Sequence, residues 1–226
     1  MLKIPKVIET LINQVSELDY DIYIVGGAVR DSLMNKEVLD WDLATNCPMA
    51  YITHLYPLHQ KDFAGKDFGN VKILIDEHWV SITQFRKDTY LGSHRYPSQV
   101  EFVDSFQEDI LRRDFTINGL GYHPQQGLID YCGGLDDLNH RVLRTIIDPE
   151  TSFNQDVLRV LRCIRFASIL DFEIEETTLK AIDGFKELVK DLSPRLIDYE
   201  VDRMNLERLE KSYPQLYYWI KGELIS

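Results

Sequence analysis

The stretch DIYIVGGAVRDSLMNKEVLDWDLAT, residues 21–45, decides the fold. Its opening apolar run reads as a short buried strand that ends at Gly26 and Gly27. AVRDSLM (28–34) predicts a helix closed by Asn35, and WDLAT (41–45) predicts a second strand. Two glycines between strand and helix let the backbone approach a ligand closely, and a helix start offers N–H groups to a phosphate. Arg30, in the first turn, could add a guanidinium fork. On a strand, residues two apart share a face, so Asp40 and Asp42 should converge while Trp41 and Leu43 enter the core. Converging carboxylates repel unless a cation sits between them, and an all-oxygen pair suits Mg²⁺ with substrate phosphates. Such a pair can hold two metal ions for phosphoryl transfer. Taken singly, each feature also fits a plain turn or a solvated strand end. Their closeness in the chain makes them two edges of one pocket.

Outward from this core the pattern stays mixed up to about residue 148. Ile4, Val7, Ile8, Leu11, Ile12 and Val15 form a helical stripe over residues 3–17, and Pro48 starts another helix. VKILI (71–75) and WVSITQF (79–85) predict a hairpin around Asp76, Glu77 and His78. Residues 86–99 lack periodicity and read as a mobile loop. A strand at Val100–Val103 and a helix through 107–120 follow. In that helix Arg112 and Arg113 are adjacent; one could reach a triphosphate while the other pairs internally.

Beyond Pro149 strand signals fade, which places a boundary between an α/β segment, 1–148, and a helical one, 149–226. Val157, Val160, Leu161 and Ile164 form one buried stripe, with Arg159, Arg162 and Arg165 expected on the opposite side. Asp156 and Arg159, three apart, can present an acceptor beside a donor fork, an edge able to read a nucleobase. The same spacing also fits a surface ion pair. Tyr217, Tyr218, Trp219 and Ile220 are contiguous, so they cannot share one helix face. They either fold back on the helical segment or meet a partner.

Composition narrows the class. With 44% apolar and 27% charged residues, the 226-residue chain can bury a sizeable core. Lys plus Arg number 25 against 37 Asp plus Glu, a net charge of −12, which argues against sequence-blind coating of nucleic acid but leaves room for a basic groove. Cys47, Cys132 and Cys163 form no CxxC pair and no even set, which suits a reducing compartment. No apolar run is long enough for a membrane helix, and the first residues lack a signal-peptide core. A cytoplasmic protein is expected.

IVGGAVRDSL, LDWDLAT, FGNVKI, QFRKDTY, VEFVDSFQEDILRRDFTINGL, LIDYCGGLDDL and FNQDVLRVLRCIRFASILDFEIE occur in this order. Together they resemble the class II tRNA nucleotidyltransferase and bacterial poly(A) polymerase family, within the DNA polymerase β-like superfamily. The resemblance covers roughly residues 20–200. It implies an α+β nucleotidyltransferase head, 1–148, and a helical neck, 149–226. It implies that Asp40 and Asp42 are catalytic and bind two Mg²⁺ ions. Gly27 and Arg30 would contact phosphate, and Arg113 the triphosphate. Asp156 and Arg159 would hydrogen-bond the incoming base, with Arg162 and Arg165 as further nucleotide contacts. The loop at 86–99 would help orient the nucleotide. The donor would be ATP, CTP or both, and the acceptor an RNA 3′ end, foremost a tRNA receiving CCA. Addition of A or C alone, poly(A) synthesis, or a nucleotide-binding regulatory module without activity are the alternatives.

Three departures stand out. Gln155 replaces the family's usual Glu. Ser81 stands where many relatives carry an acidic residue. The family's body and tail helices, which grip tRNA, have no counterpart in these residues, so the resemblance implies a minimal member, a grip supplied by a second copy or a partner subunit, or much reduced RNA contacts.

Overall fold

Ile22, Tyr23, Ile24 and Val25 are all buried, the pattern of a strand covered on both faces, and they form the strand the sequence predicts. The computed structural model describes residues 2–92 and 94–225. Ser93, inside the expected loop, lies outside the described residues.

Along the chain run α1 (Lys6–Ser16), β1 (Ile22–Val25), α2 (Gly27–Leu33), β2 (Trp41–Thr45), α3 (Met49–Leu55), β3 (Lys61–Asp62), β4 (Asn70–Ile75) and β5 (His78–Gln84). Next come β6 (Arg86–Thr89), β7 (Gln99–Phe102), α4 (Phe106–Ile110), β8 (Gly121–His123), β9 (Gly127–Ile129), α5 (Gly134–His140) and β10 (Val142–Leu143). The remainder is α6 (Pro149–Gln155), α7 (Leu158–Leu170), β11 (Glu173–Ile174), α8 (Glu176–Val189), α9 (Pro194–Val201), α10 (Leu206–Ser212) and α11 (Pro214–Trp219).

The residues divide into two compact units. One holds the chain up to Thr89, Gln99–Arg113 and Ile117–Leu135; the other holds Tyr90–Ser98, Asp114–Thr116 and everything from Asp136. The first unit is built on a seven-stranded sheet in the order β3-β4-β5-β2-β1-β8-β9. Every neighbouring pair is antiparallel except β2 and β5, where Asp42 lies beside Ser81 and Ala44 beside Thr83. Ile8, Leu11, Ile12 and Val15 of α1 are buried, as the stripe predicts. The β4–β5 hairpin forms as expected, with Asp76 and Glu77 at φ 44° and 68° in its turn.

Three expectations need correction. Part of the expected loop at 86–99 is a strand: β6 pairs with β7 from Arg86 beside Phe102 to Thr89 beside Gln99. Its sequence hides this, because the residues that turn inward are Arg86 and Asp88, joined through Nε–Oδ1 at 2.8 Å and Nη2–Oδ2 at 3.1 Å. The helix through 107–120 is also broken. α4 has five residues, the chain bends at Asp114, Phe115 bridges Thr145, and Thr116–Asn118 forms one 3₁₀ turn. Finally, the boundary near 148 falls inside the second unit. There β10 pairs with β11 in parallel and Thr116 N donates to Arg144 O, tying residues 142–145 to the helices that follow.

The second unit buries Phe115, Phe153, Val160, Leu161, Ile164, Ile182, Leu209 and Ile220. Of the terminal aromatic run, Trp219 and Ile220 are buried while Tyr218 is exposed, so most of it folds back on the helices. Among the described residues no helix is long and apolar enough to cross a membrane.

Candidate active site

Strand β2 lies between β5 and β1, so its alternating side chains divide the first unit. Trp41 and Leu43 are buried and Asp42 faces water. Asp40 precedes the strand instead of lying on it, a small departure from the expected shared strand face. It nonetheless stands near enough to act on Asp42. Although water reaches Asp42, the protein flanking it desolvates its carboxyl and holds it above the ordinary aspartate range. The charge of Asp40 pushes the same way, while Arg113, Lys72 and a hydrogen bond with Ser81 oppose it.

Asp42 opens onto a cavity of about 290 Å³ lined also by Gly26, Asn70, Thr83, Arg112 and Arg113. Gly26 adopts φ 69° and ψ −136°, a conformation that essentially requires glycine. It therefore presents bare backbone at the cavity wall. A larger cavity of about 1250 Å³, bounded by Pro5, Leu33, Trp41, Tyr122 and Leu128, shares no residue with this one.

The arginines are placed differently from expectation. Arg112 and Arg113 both pair internally, on Asp109, which is completely buried. Arg112 Nε donates to Oδ1 at 2.8 Å, and Arg113 donates to Oδ2 through Nε at 3.1 Å and Nη2 at 2.7 Å. Burial disfavours the Asp109 charge, but the two guanidinium groups outweigh it and hold the carboxyl below its ordinary range. Arg30 is buried, with Nε and Nη2 each 2.9 Å from Asp31 and Nη1 2.7 Å from Asn118. Its fork thus anchors α2 to the 3₁₀ turn. Gly27 opens α2 directly below that guanidinium, and a Cβ there would lie 3.4 Å from Arg30 Nη2.

In the second unit the candidate base-reading residues stand where two helices meet. Asp156 sits between α6 and α7 with extended backbone, φ −147° and ψ 100°. Its Oδ1 accepts from Leu158 N at 3.1 Å and its Oδ2 from Arg95 Nη1 at 2.6 Å. Arg159 is buried, and its Nη1 donates to Ser152 O, Ser152 Oγ and Gln155 Oε1 at 3.2, 2.9 and 3.4 Å. Arg162 holds Asp114 Oδ2 through Nε at 2.8 Å and Nη2 at 2.5 Å, and Arg165 Nε holds Glu200 Oε2 at 2.6 Å. The expected sweep of arginines over an open helix face is therefore replaced by internal pairing. Asp114 and Glu200 draw these side chains onto their own unit.

Sequence reasoning missed Asp109, Asn70, Thr83, Arg95 and Glu200. Asp109 was legible in principle, since it stands three and four residues before the two arginines, helical spacing for an ion pair.

Residues 22–144, more than half of the chain, match the poly A polymerase head domain family. The chain belongs to that family. A CCA-adding enzyme of Pediococcus pentosaceus is 38% identical over 196 residues, 87% of this chain and 49% of that protein. One from Enterococcus faecalis is 37% identical over 197 residues, 87% of this chain and 48% of that protein. The crystal structure of the Bacillus stearothermophilus CCA-adding enzyme in complex with CTP aligns with a TM-score of 0.80 at 28% identity, covering 98% of this chain and 52% of that one. A tRNA nucleotidyltransferase complexed with a primer tRNA and an incoming ATP analog aligns with a TM-score of 0.73 at 28% identity, over 96% of this chain and 62% of that one. This head-domain family member thus has the expected α+β, DNA polymerase β-like fold. It spans about half the length of the curated relatives it matches.

Proposed function

We propose that this chain is a Mg²⁺-dependent nucleotidyltransferase that adds CMP, AMP or both to an RNA 3′ end, foremost a tRNA lacking part of its CCA terminus. The observation that carries this reading is the neighbouring pair Asp40 and Asp42 beside a cavity bounded by bare backbone at Gly26 and by Arg112 and Arg113. The relatives crystallised with CTP and with tRNA and an ATP analog support the choice of nucleotide and acceptor.

In the reaction the RNA 3′-hydroxyl oxygen bonds to the α-phosphorus of the NTP. The bond from that phosphorus to the α–β bridging oxygen breaks, pyrophosphate leaves, and the hydroxyl proton passes to solvent. The donor set fits Mg²⁺: two carboxylates whose charges repel, reached by water, with oxygen atoms only. Among the described residues no three His, Cys, Asp or Glu side chains gather, so water and phosphate oxygens would complete the coordination. Bound there, Mg²⁺ would neutralise phosphate charge and make the attacking hydroxyl more acidic.

The remaining work belongs to the chain. Asp109 fixes the Arg112 and Arg113 forks where they can meet phosphate oxygens. Asp156 and Arg159 offer the acceptor and donor edge that distinguishes bases, with Gln155 supporting Arg159 as a neutral acceptor. We assign the activity to the cytoplasm, in keeping with tRNA as acceptor.

Labelled CTP or ATP, Mg²⁺ and tRNAs trimmed by one, two or three terminal nucleotides test the proposal. Extension by one to three nucleotides is expected. No extension of any trimmed RNA with either nucleotide would overturn it.

A further inference from the structure

Asp42 is one member of a polar row on the open face of the sheet. Its neighbour across β2 and β5 is Ser81, and across β4 and β5 Thr83 stands beside Asn70. The Asn70 amide nitrogen donates to Ser81 Oγ at 3.1 Å and to Thr83 Oγ1 at 2.7 Å. A side-chain amide has two N–H groups, so both are used. Each hydroxyl, having accepted, keeps its own hydrogen to donate, and the carboxylate of Asp42, the strand partner of Ser81, is the acceptor that Ser81 can serve.

The Asn70 side chain is itself held in place. Its backbone N–H donates to Gly65 O at 3.0 Å, and Gly65 lies so close that a Cβ there would come within 2.8 Å of Asn70 Cβ. A polar side chain packed this way and spending both donors on one row is built for direction. Bulk alone would not need it.

We propose that Asn70 and Ser81 are positioning residues for Asp42, forming a neutral relay in which Asn70 orients the Ser81 hydroxyl and Ser81 fixes the Asp42 carboxylate for divalent-cation binding. This rests on the function proposed above. In that site Asp42 has a neutral donor beside it in place of a further carboxylate, so its orientation depends on the relay.

The test is Mn²⁺ binding, followed by the electron paramagnetic resonance of the free ion, for the wild type, Ser81→Ala, Ser81→Thr, Asn70→Ala and the Ser81→Ala/Asn70→Ala double variant. Outer partners of metal ligands typically change affinity by about 10- to 100-fold, so Ser81→Ala should raise the Mn²⁺ Kd about tenfold or more. Ser81→Thr keeps the hydroxyl and suits a strand, so it should bind like the wild type. Asn70→Ala should weaken binding by itself but add nothing in the Ser81→Ala background, since it acts through Ser81.

Additive losses, a Thr variant as weak as the Ala variant, or unchanged Kd values throughout would overturn the relay, as would a wild type that takes up no Mn²⁺. Nucleotide transfer measured alongside separates the two claims. A wild type that binds Mn²⁺ but extends no RNA sinks the proposed function, while the pattern of Kd values still decides the relay.

Discussion

Asp109 and Arg113 are locked together by a contact of 2.7 Å between a fully buried carboxylate oxygen and Nη2, and the other oxygen of the same carboxylate holds Arg112. One anion thus positions two cations on the wall of the cavity that contains Asp42. Asp109→Asn keeps the shape but leaves two adjacent guanidinium groups without their counter-charge. Breaking a buried pair by neutralising one partner costs about 3–5 kcal/mol, and thermal or denaturant unfolding should show a loss of that order. A loss below about 1 kcal/mol would mean that solvent already screens this cluster.

The same carboxylate sets a pH dependence. Burial opposes its charge, but Arg113 and Arg112 prevail, so its folded-state pKa lies below the ordinary 3.8. A depressed acid stabilises fully above its unfolded pKa, and that contribution is lost as pH falls through the folded value. The stability difference between wild type and Asp109→Asn should therefore stay constant from pH 8 to about pH 5 and shrink below about pH 4. A difference that changes between pH 6 and 8 would point to another titrating group.

Gly26→Ala isolates backbone strain. At φ 69° and ψ −136° an L-residue is disfavoured, yet no atom lies within 4 Å of where the Cβ would stand. The loss should therefore be conformational, about 1–3 kcal/mol, with no packing defect. A thermal melt checks the magnitude. An unchanged Tm would show that the turn relaxes at little expense.

The readable parts of this fold were those where burial and periodicity coincide. β1, β2 and the β4–β5 hairpin carry apolar residues at every position or at alternate ones, and all were predicted in place. β6 escaped because its inward positions are Arg86 and Asp88, which satisfy each other. Helical arithmetic pointed Arg162 and Arg165 toward an open face. It could not see Asp114 and Glu200, which lie 48 and 35 residues away in sequence and draw those side chains into ion pairs. For the same reason the Asp40–Asp42 pair was legible, being local, while Asn70 and Thr83 reach the site only through strand pairing.

Asp42→Ala tests the chemistry most directly. The side chain is at the surface, its neighbour Asp40 repels it, and burial of its surroundings disfavours its charge, so its removal should leave stability unchanged or slightly improved. Nucleotide transfer should fall by orders of magnitude, since loss of a metal-holding carboxylate raises the barrier by several kcal/mol. A folded variant that turns over like the wild type would remove Asp42 from the reaction.

Base choice depends on Asp156. Its two oxygens are engaged by Leu158 N and Arg95, which fix the carboxylate plane beside Arg159. A base amino group would hydrogen-bond to a carboxylate that is already oriented, whereas a base presenting a carbonyl there would lose that hydrogen bond and set two acceptors against each other. Such a mismatch costs about 1–3 kcal/mol, so Asp156→Ala should reduce the spread of kcat/KM among ATP, CTP, GTP and UTP by about tenfold or more. The alanine also removes the acceptor for Leu158 N at the start of α7, which costs about 1 kcal/mol of stability. Asp156→Asn separates the two effects. It retains a carbonyl oxygen for Leu158 N but turns the other position, which accepts from Arg95, into a donor, so the stability loss should come from the Arg95 pair alone while selectivity shifts. If both variants keep the selectivity of the wild type, Asp156 serves only as the acceptor for Leu158 N and the partner of Arg95, and base recognition lies with other residues.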